Sequence, residues 1–450
     1  MNGVNRIRGA AASIFLAVAF ASSAEAQGLT LRDAVDEALA RNPAIAAADA
    51  RQRSAHARQA EARAARFPRL DVTEAATRGN NPVFVFGTLL EQGAFAPRHF
   101  DPAFLNAPDA LTNHRVAATA RFAVFDALRT TTAIRQAQNG ADRAAIELEE
   151  ARQRLRAQVV TAYYAILVAS ERVDVARDAA TTAEADAKST RDRFDQGLIV
   201  ESDALAADVH LAALRQRVIA AEGELAIARA ALAMLLHRPP NQSIAVSGTL
   251  AAAAIDAIDL DEAIARANSR RAAVRIAASS TRDAQLQLTA ARATALPRVD
   301  AFGTFGASGA TFGDRNSDHT AGIGVTLELF DRARPARVAA ARGAIDAARA
   351  AETMARDAVT LEVITAWHRL RAADATAAVA ASVVGQAEAA ARIVRDRHAE
   401  GLIPITEHLR AQTALVGARS DLLAARYARL AAHADLLRAT GELDDVQPFL

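Results

Sequence analysis

The chain lacks several residue types, and each absence excludes a kind of structure or partner. None of its 450 residues is cysteine, so it has no disulfide and carries no lipid on an N-terminal cysteine. Beyond the N-terminal segment no apolar run continues for about 18 residues, which argues against transmembrane helices. Lysine occurs only at Lys188, and the net charge is +1. Acidic and basic residues are interspersed along the chain, whereas a nucleic-acid partner needs a clustered basic face.

The first 26 residues have the pattern of a secretory signal peptide. Arg6 and Arg8 form a positive N-terminal region, residues 10–21 are apolar, and Ala24-Glu25-Ala26 fits a cleavage site. The apolar stretch is shorter than the about 20 residues that a membrane-spanning helix needs. We therefore expect a cleaved signal peptide at 1–26 and an exported mature chain at 27–450.

The mature sequence contains a tandem duplication. Pro68-Arg69-Leu70-Asp71 returns as Pro297-Arg298-Val299-Asp300, and Gly197-Leu198-Ile199 returns as Gly401-Leu402-Ile403. A unit of about two hundred residues is too long for a solenoid repeat and indicates two structurally equivalent halves. We therefore expect a first repeat at about 29–237, a linker at 238–259, a second repeat at about 260–442 and a C-terminal tail at 443–450.

Both repeats contain a very long helical segment. Between residues 126 and 195 there is no proline, and glycine occurs only at Gly140. Small and apolar residues recur there at steps of four and three, as at Leu155 and Val159, and the second repeat keeps this pattern from Val359 onwards. A sustained heptad predicts a coiled-coil seam, and about 70 helical residues extend on the order of 100 Å. The alanine-rich seam favours a one-layer wall of helices, and a simple antiparallel coiled-coil spacer is the alternative.

A tight turn and a shorter returning helix follow each long helix. Gly197 and Gly401 are placed where a left-handed residue ends a helix. Ser202 and Thr406 are candidate N-caps of the returning helices. A second short helix in each repeat has the length to stack end to end on the returning one. We expect these four helices at about 203–237, 407–440, 31–66 and 260–296.

Four segments alternate with a period of two between apolar residues and small or polar ones. In the clearest of them, Val299, Ala301, Gly303 and Phe305 share one face. Runs of about 9–11 residues with this period are typical of transmembrane β-strands. Because four strands cannot close a barrel and an open edge is not tolerated in lipid, we expect an oligomer, and three chains would give a 12-stranded barrel. The expected strands lie at about 69–78, 115–125, 298–308 and 320–330.

The first repeat has an insertion between its two strands that the second repeat lacks. It lies between Gly79 and Asn113 and includes Pro82-Val83-Phe84-Val85-Phe86. Because it falls at the turn between two strands, we interpret residues 79–113 as an enlarged extracellular loop. A plug and a receptor surface for phage are both compatible with this position.

Nothing in the sequence predicts an enzyme. The histidines do not pair at the spacing of a metal site, and neither an H-E-x-x-H nor a G-x-S-x-G motif occurs. Gly303, Gly306 and Gly309 lie on a strand and turn, so they do not form a phosphate loop. We therefore expect a passive conduit without catalytic residues, cofactor or metal.

The order of these features resembles that of TolC-like outer-membrane efflux proteins. Residues 29–43 resemble the opening signature of that family, and Phe67-Pro68-Arg69-Leu70 and Phe125-Asp126 resemble its helix–strand junctions. Both hairpin tips, Arg191 to Gly197 and Arg395 to Gly401, fit its Arg-x-Arg-x-x-x-Gly pattern. The resemblance covers essentially all of the mature chain.

The resemblance implies a mixed α+β membrane protein, a homotrimeric channel-tunnel in the outer membrane. Its 12-stranded β-barrel, with four strands per chain, continues into a long α-helical coiled-coil barrel in the periplasm. It would be the passive exit duct of a tripartite efflux or type I secretion system, in contact with outer-membrane lipid, a periplasmic adaptor and an inner-membrane pump. The cargo stays open between organic compounds, metal ions and polypeptides. The alternative is a secreted periplasmic coiled-coil scaffold without a pore.

The resemblance also places the functional residues at the helical tips. It implies that 238–259 and the tail form a belt around the helices. Adaptor-docking positions are implied at Gly197, Leu198, Ile199, Gly401, Leu402 and Ile403. Candidates for the periplasmic gate are Asp192, Arg193, Asp195, Asp396, Arg397 and Glu400, and each of the four acidic ones is a candidate for the family's constriction ring. Exposed ion pairs contribute about 0–1 kcal/mol each, which suits a gate that must open.

Overall fold

The computed structural model describes residues 28–241, 244–250, 258–313 and 315–449. The expected signal peptide at 1–26 and parts of the expected linker at 238–259 lie outside the described residues. The chain divides into two compact units. The first comprises the chain up to Ala47, Glu149–Arg271 and the chain from Ala358, and the second comprises Ala48–Leu148 and Ala272–Asp357.

The order of elements occurs twice along the chain, in agreement with the duplicated sequence. The helices are α1 (Leu31–Arg41), α2 (Pro43–Ala64), α3 (Pro82–Glu91), α4 (Pro102–Asn106), α5 (Arg129–Asp195), α6 (Glu201–Leu235), α7 (Leu260–Arg270), α8 (Ala272–Ala293), α9 (Arg334–Ala399) and α10 (Ile405–Thr440). The strands are β1 (Arg69–Gly79), β2 (Leu111–Phe125), β3 (Arg298–Gly309) and β4 (Asn316–Thr326). Each repeat thus has two short helices, two strands, a very long helix and a returning helix, and the first also contains α3 and α4.

The four strands form one antiparallel sheet in the order β1-β2-β3-β4. Asp71, Thr119, Thr304 and Thr320 lie opposite one another across the sheet and define its polar face. The other face, which we call the outer face, carries apolar side chains that are exposed in the single chain. Among them are Leu70, Val72, Phe305, Ile323 and Val325, each more than 60% exposed.

Two strands differ from their expected bounds, and the insertion contains helices. β2 begins at Leu111, earlier than the expected 115, because its first residue pairs with Gly79 at the end of β1. The strand expected at 320–330 is β4 at Asn316–Thr326. Its pairing ends where Thr326 meets Arg298, the first residue of β3, so the apolar alternation after 326 finds no partner strand. The insertion at 79–113 contains α3, α4 and a short 3-10 helix.

Residues of the heptad seam form the core of the first unit. Val159 and Val363 are fully buried, and Ile166 is 2% exposed. α5 is tied to α6 by ion pairs such as Arg177–Glu222, at 2.6 Å. Beyond Leu370 the seam residues of α9 are only half-buried. The first seam is therefore filled within one chain, whereas much of the second is left partly open.

The short helices expected at 31–66 and 260–296 are each broken once, so the expectation of continuous helices is wrong. Asn42 has extended backbone between α1 and α2, because the following Pro43 disfavours a helical conformation before it. Arg271 has extended backbone between α7 and α8. Its guanidinium is 6% exposed and contacts Glu150 at 3.2 Å and Glu362 at 2.8 Å.

The chain termini of the first unit wrap against α5. Leu29 forms a parallel bridge with Val246. The hydroxyl of Tyr163 donates to the carbonyl of Leu29 at 2.9 Å, and that of Tyr164 donates to the carbonyl of Phe449 at 2.6 Å. These contacts fix the described parts of the linker and the C-terminal tail on the middle of the long helix.

By length and composition, α9 is the one helix among the described residues that is able to cross a membrane. An 18-residue stretch of it has a mean hydropathy of 1.3. The sequence expectation differed because alanine and valine raise this average even where a charged residue interrupts the run. None of the stretch is buried within the chain, so its apolar surface is available to another helix.

Candidate functional site: the helical tips

Two nearly identical turns form the tips, one between α5 and α6 and one between α9 and α10. Gly197 has φ +73° and Gly401 has φ +74°, so the expected left-handed glycines are confirmed. The amide of Leu198 donates to the carbonyl of Arg193, and that of Leu402 donates to Arg397, both at 2.9 Å. These bonds satisfy carbonyls that the helix end leaves without a partner. The duplication therefore reproduces the tip down to its hydrogen bonds.

The expected N-caps at Ser202 and Thr406 are wrong. Both residues lie inside the first turn, because α6 begins at Glu201 and α10 begins at Ile405. The N-cap residues are Val200 and Pro404, and neither provides a side-chain cap. Acidic residues in the first turn, such as Glu201, compensate through their favourable interaction with the helix dipole.

The expected docking residues lie at the ends of the two turns. Leu198 is 68% exposed and Leu402 is 64% exposed, whereas Ile199 and Ile403 are half-buried. Below the second turn, His398 Nδ1 is 3.2 Å from the carbonyl oxygen of Ile403. Each leucine therefore projects an apolar side chain from its tip, whereas the isoleucines are partly covered.

The structure does not bring the six gate candidates together. Among the described residues, none of the six forms an ion pair with another of the six. Asp396 contacts its neighbour Arg395 at 3.4 Å, with both side chains 64% exposed. Within one chain, ion pairs among these six residues therefore do not hold the tips together.

A buried polar cluster above the tips was missed by the sequence reasoning. His408 on α10 is 5% exposed, and its Nε2 is 3.0 Å from Asp186 Oδ2 on α5. Gln412 donates to the same carboxylate, and the ring of His398 stacks on that of His408 with centroids 5.4 Å apart. His408 and Gln412 are four residues apart, on one helical face, which is the only local signal of the cluster. Its acidic partner lies 222 residues away.

The electrostatics of this cluster favour an ionised aspartate. Burial raises the pKa of Asp186, but hydrogen bonds from His408 and Gln412 and the electrostatic effect of the His408 and His398 rings outweigh it, so the net pKa is lowered. A cavity of about 160 Å³ adjoins the cluster. Among the described residues no group of histidine and acidic side chains is placed to hold a metal ion. The cluster is therefore a charged hydrogen-bonded link between α5 and α10.

Comparison with known proteins gives one family. Residues 34–237 and 263–442 match the model of the outer membrane efflux protein family. Protein CyaE of Bordetella pertussis is 30% identical over 422 residues, which cover 92% of this chain and 84% of that protein.

Solved structures with a similar fold include outer-membrane proteins. The CmeC outer membrane channel of Campylobacter jejuni has a TM-score of 0.78 at 15% identity, over 92% of this chain and 85% of that one. The outer membrane protein VceC of Vibrio cholerae has a TM-score of 0.75 at 18% identity, over 91% of this chain and 96% of that one. The chain therefore shares the fold of these two outer-membrane proteins.

Proposed function

The chain belongs to the outer membrane efflux protein family, and from this membership we propose how its surfaces assemble and dock. It is an outer-membrane channel with a periplasmic helical extension, the outer-membrane component of a tripartite efflux or type I secretion system. Channels of this family are trimers that work with an adaptor and a pump. Membership argues against the alternative of a secreted scaffold without a pore.

The sheet supports a homotrimer of this chain. β1 and β4 are its two edges, each paired on one side only. In lipid, each backbone group at an edge that lacks a hydrogen-bond partner costs several kcal/mol. We infer that β4 of one copy pairs with β1 of the next, so that three copies close twelve strands with their outer faces toward outer-membrane lipid.

Exposed apolar stripes on two helices support the proposed homotrimer. On α6, Leu205, Val209, Ile219, Ile227 and Met234 lie on one helical face and are 55–71% exposed. Their spacing keeps all five within about 40° of a line along the helix. Such a stripe on an isolated chain requires a partner.

The second stripe lies on α9, where Leu361, Val379, Val383 and Ile393 share one face and are 42–64% exposed. In a cyclic trimer each interface joins two different surfaces of the same chain. We infer that the α6 stripe of one copy packs on the α9 stripe of the next. The same three contacts then close the helical barrel.

The tips support docking and gating roles. The exposed Leu198 and Leu402 offer the periplasmic adaptor two equivalent apolar contacts per chain, with the inner-membrane pump beyond it. Because the six gate charges make no mutual pair within a chain, we assign them to contacts between copies. The linker at 238–259 and the tail at 443–450 form the belt. We infer a passive duct that performs no chemistry of its own and uses no cofactor or metal.

The trimer is tested by native mass of the detergent-purified mature chain, with one charge placed on the α9 stripe. Val379→Asp puts a carboxylate into the inferred interface and is expected to shift the trimer toward monomer. Ala381→Asp places the same charge on an exposed site on the opposite face of α9 and is expected to leave the trimer intact. Equal trimer fractions for both variants would contradict the inferred contact.

A further inference from the structure

The insertion between β1 and β2 is bound to the end of the sheet by a polar network. Arg115 on β2 donates to both carboxylate oxygens of Asp318 on β4, at 2.8 and 2.9 Å, and to the hydroxyl of Ser308 on β3 at 2.9 Å. Glu91, at the end of α3, lies 3.3 Å from that hydroxyl and 3.6 Å from Arg115. Asn316 donates to the backbone carbonyl of Glu91 at 3.0 Å. The insertion is thus attached to three strands.

These contacts place α3 on the polar face of the sheet. Arg115 and Ser308 are cross-strand partners and lie on the same side as the Thr119–Thr304 pair. Val85 and Leu89 of α3 are buried. In a membrane barrel the apolar face meets lipid and the polar face lines the lumen. The other ends of the strands lead into the periplasmic helices, so α3 lies inside the extracellular mouth.

The side of α3 away from the sheet is also apolar. Val83 is 82% exposed and Leu90 is 51% exposed, and they share one helical face with Gly87 at positions i, i+4 and i+7. A Cβ added at Gly87 would meet nothing within 4 Å in the single chain, which leaves room for close approach of another helix. A helix that is apolar on all sides is normally buried on all sides. In the single chain α3 is covered on one side only.

The insertion is a folded unit. Pro82 occupies the first turn of α3, and the side chain of Asn81 caps it. Phe95 contacts Phe86 and Phe100 edge to face, with ring centroids 4.9 and 5.1 Å apart. Aromatic pairs of this geometry contribute about 0.5–1.5 kcal/mol each beyond burial. The network and these pairs hold α3 in a fixed place over the lumen.

The size of the barrel decides what covers the exposed face. Twelve strands about 4.8 Å apart and tilted by about 40° close a ring about 24 Å across between backbones. A helix with its side chains is about 10 Å wide, so three helices fill such a ring. We propose that the three α3 helices of the trimer meet on its axis through Val83, Gly87 and Leu90 and close the extracellular mouth. This plug rests on the proposed trimeric channel.

Cross-linking tests the contact directly, because the chain contains no cysteine of its own. In Val83→Cys, mild oxidation or a short bismaleimide is expected to join copies covalently within the purified trimer. Val325→Cys, on the outer face of β4, is the matched control and is expected to stay uncoupled. A trimer by native mass in which Val83→Cys gives no more cross-linking than the control would overturn the plug and leave the channel standing. A monomer by native mass would overturn both.

Labelling of a cysteine in the lumen from outside the cell tests whether the plug closes the mouth. Thr304→Cys, on the polar face, is treated on intact cells with a membrane-impermeant maleimide. Replacing residues 80–110 with Asn-Gly joins the paired residues Gly79 and Leu111 by a two-residue hairpin and removes the plug. Labelling is expected to be severalfold faster in this shortened chain, whereas Thr311→Cys, in the exposed turn between β3 and β4, is labelled equally in both. Equal labelling of Thr304→Cys in both chains would overturn the closure.

Discussion

Acidification is expected to destabilise the helical unit through one buried histidine. His433 on α10 is 7% exposed, and its ring centroid lies 5.0 Å from that of Phe449 in the C-terminal tail. Its Nδ1 has no hydrogen-bond partner among the described residues. Burial, aided by the charge of Arg429 and opposed by Asp374, lowers its pKa to about 4. The folded protein therefore keeps this imidazole neutral at pH values where an unfolded chain protonates it.

The sign and size of the effect follow from this difference. Above an unfolded pKa of about 6.5 both states are neutral, and the histidine adds no pH dependence. As the pH falls below that value, the unfolded state binds a proton that the folded state does not, so the free energy of unfolding decreases. The decrease approaches about 1.4 kcal/mol per pH unit and reaches about 3 kcal/mol near pH 4.

The assay is thermal unfolding of the mature protein in detergent, from about pH 7 to about pH 4.5. His433→Leu removes the titrating group without breaking a bond to Nδ1, so its unfolding temperature is expected to fall less on acidification than that of the wild type. His368→Leu changes an exposed histidine and is expected to keep the wild-type dependence. Identical pH dependence in the wild type and His433→Leu would refute the reasoning.

Three further predictions use the same unfolding measurement. Gly401→Ala forces a side chain into a left-handed backbone and is expected to cost about 1–2 kcal/mol, whereas Gly417→Ala, inside α10, is expected to stabilise by about 0.5–1 kcal/mol; equal effects would refute the conformational argument. Arg271→Met removes the buried partner of Glu150 and Glu362, which keep Arg154 and Arg438 as further partners, and is expected to cost about 2–3 kcal/mol. The exposed control Arg275→Met is expected to change little, and a loss as large as that of Arg271→Met would contradict the assignment. Asp186→Ala removes the acceptor of His408 and Gln412 and is expected to cost about 2 kcal/mol and to raise single-channel open probability; unchanged gating would restrict the cluster to a structural role.

The fold was predictable because its signals are local and duplicated. Period-two alternation marked the strands, and the proline-free heptads marked α5 and α9. The ends of β4 were not predictable in this way, because the alternation continues through Leu327 and Leu329 although its partner β3 has already begun at Arg298. The bounds of a strand depend on its neighbour as well as on its own pattern.

The breaks in the short helices show the same limit. Asn42 precedes a proline, so that break has a local signal. Arg271 precedes an alanine, and its extended backbone accompanies ion pairs with residues 121 and 91 positions away in the sequence. The tip glycines were predictable from their position after a helix, whereas the link between Asp186 and His408 joins residues 222 positions apart, one in each repeat. Contacts of this kind appear only in the folded structure.

Single-channel conductance in a planar bilayer, with the oligomer mass of the same sample, tests the channel most directly. The mature chain is expected to be a trimer that gives discrete conductance steps. A water-soluble species without conductance would contradict the account and would restore the scaffold that the helices alone allow.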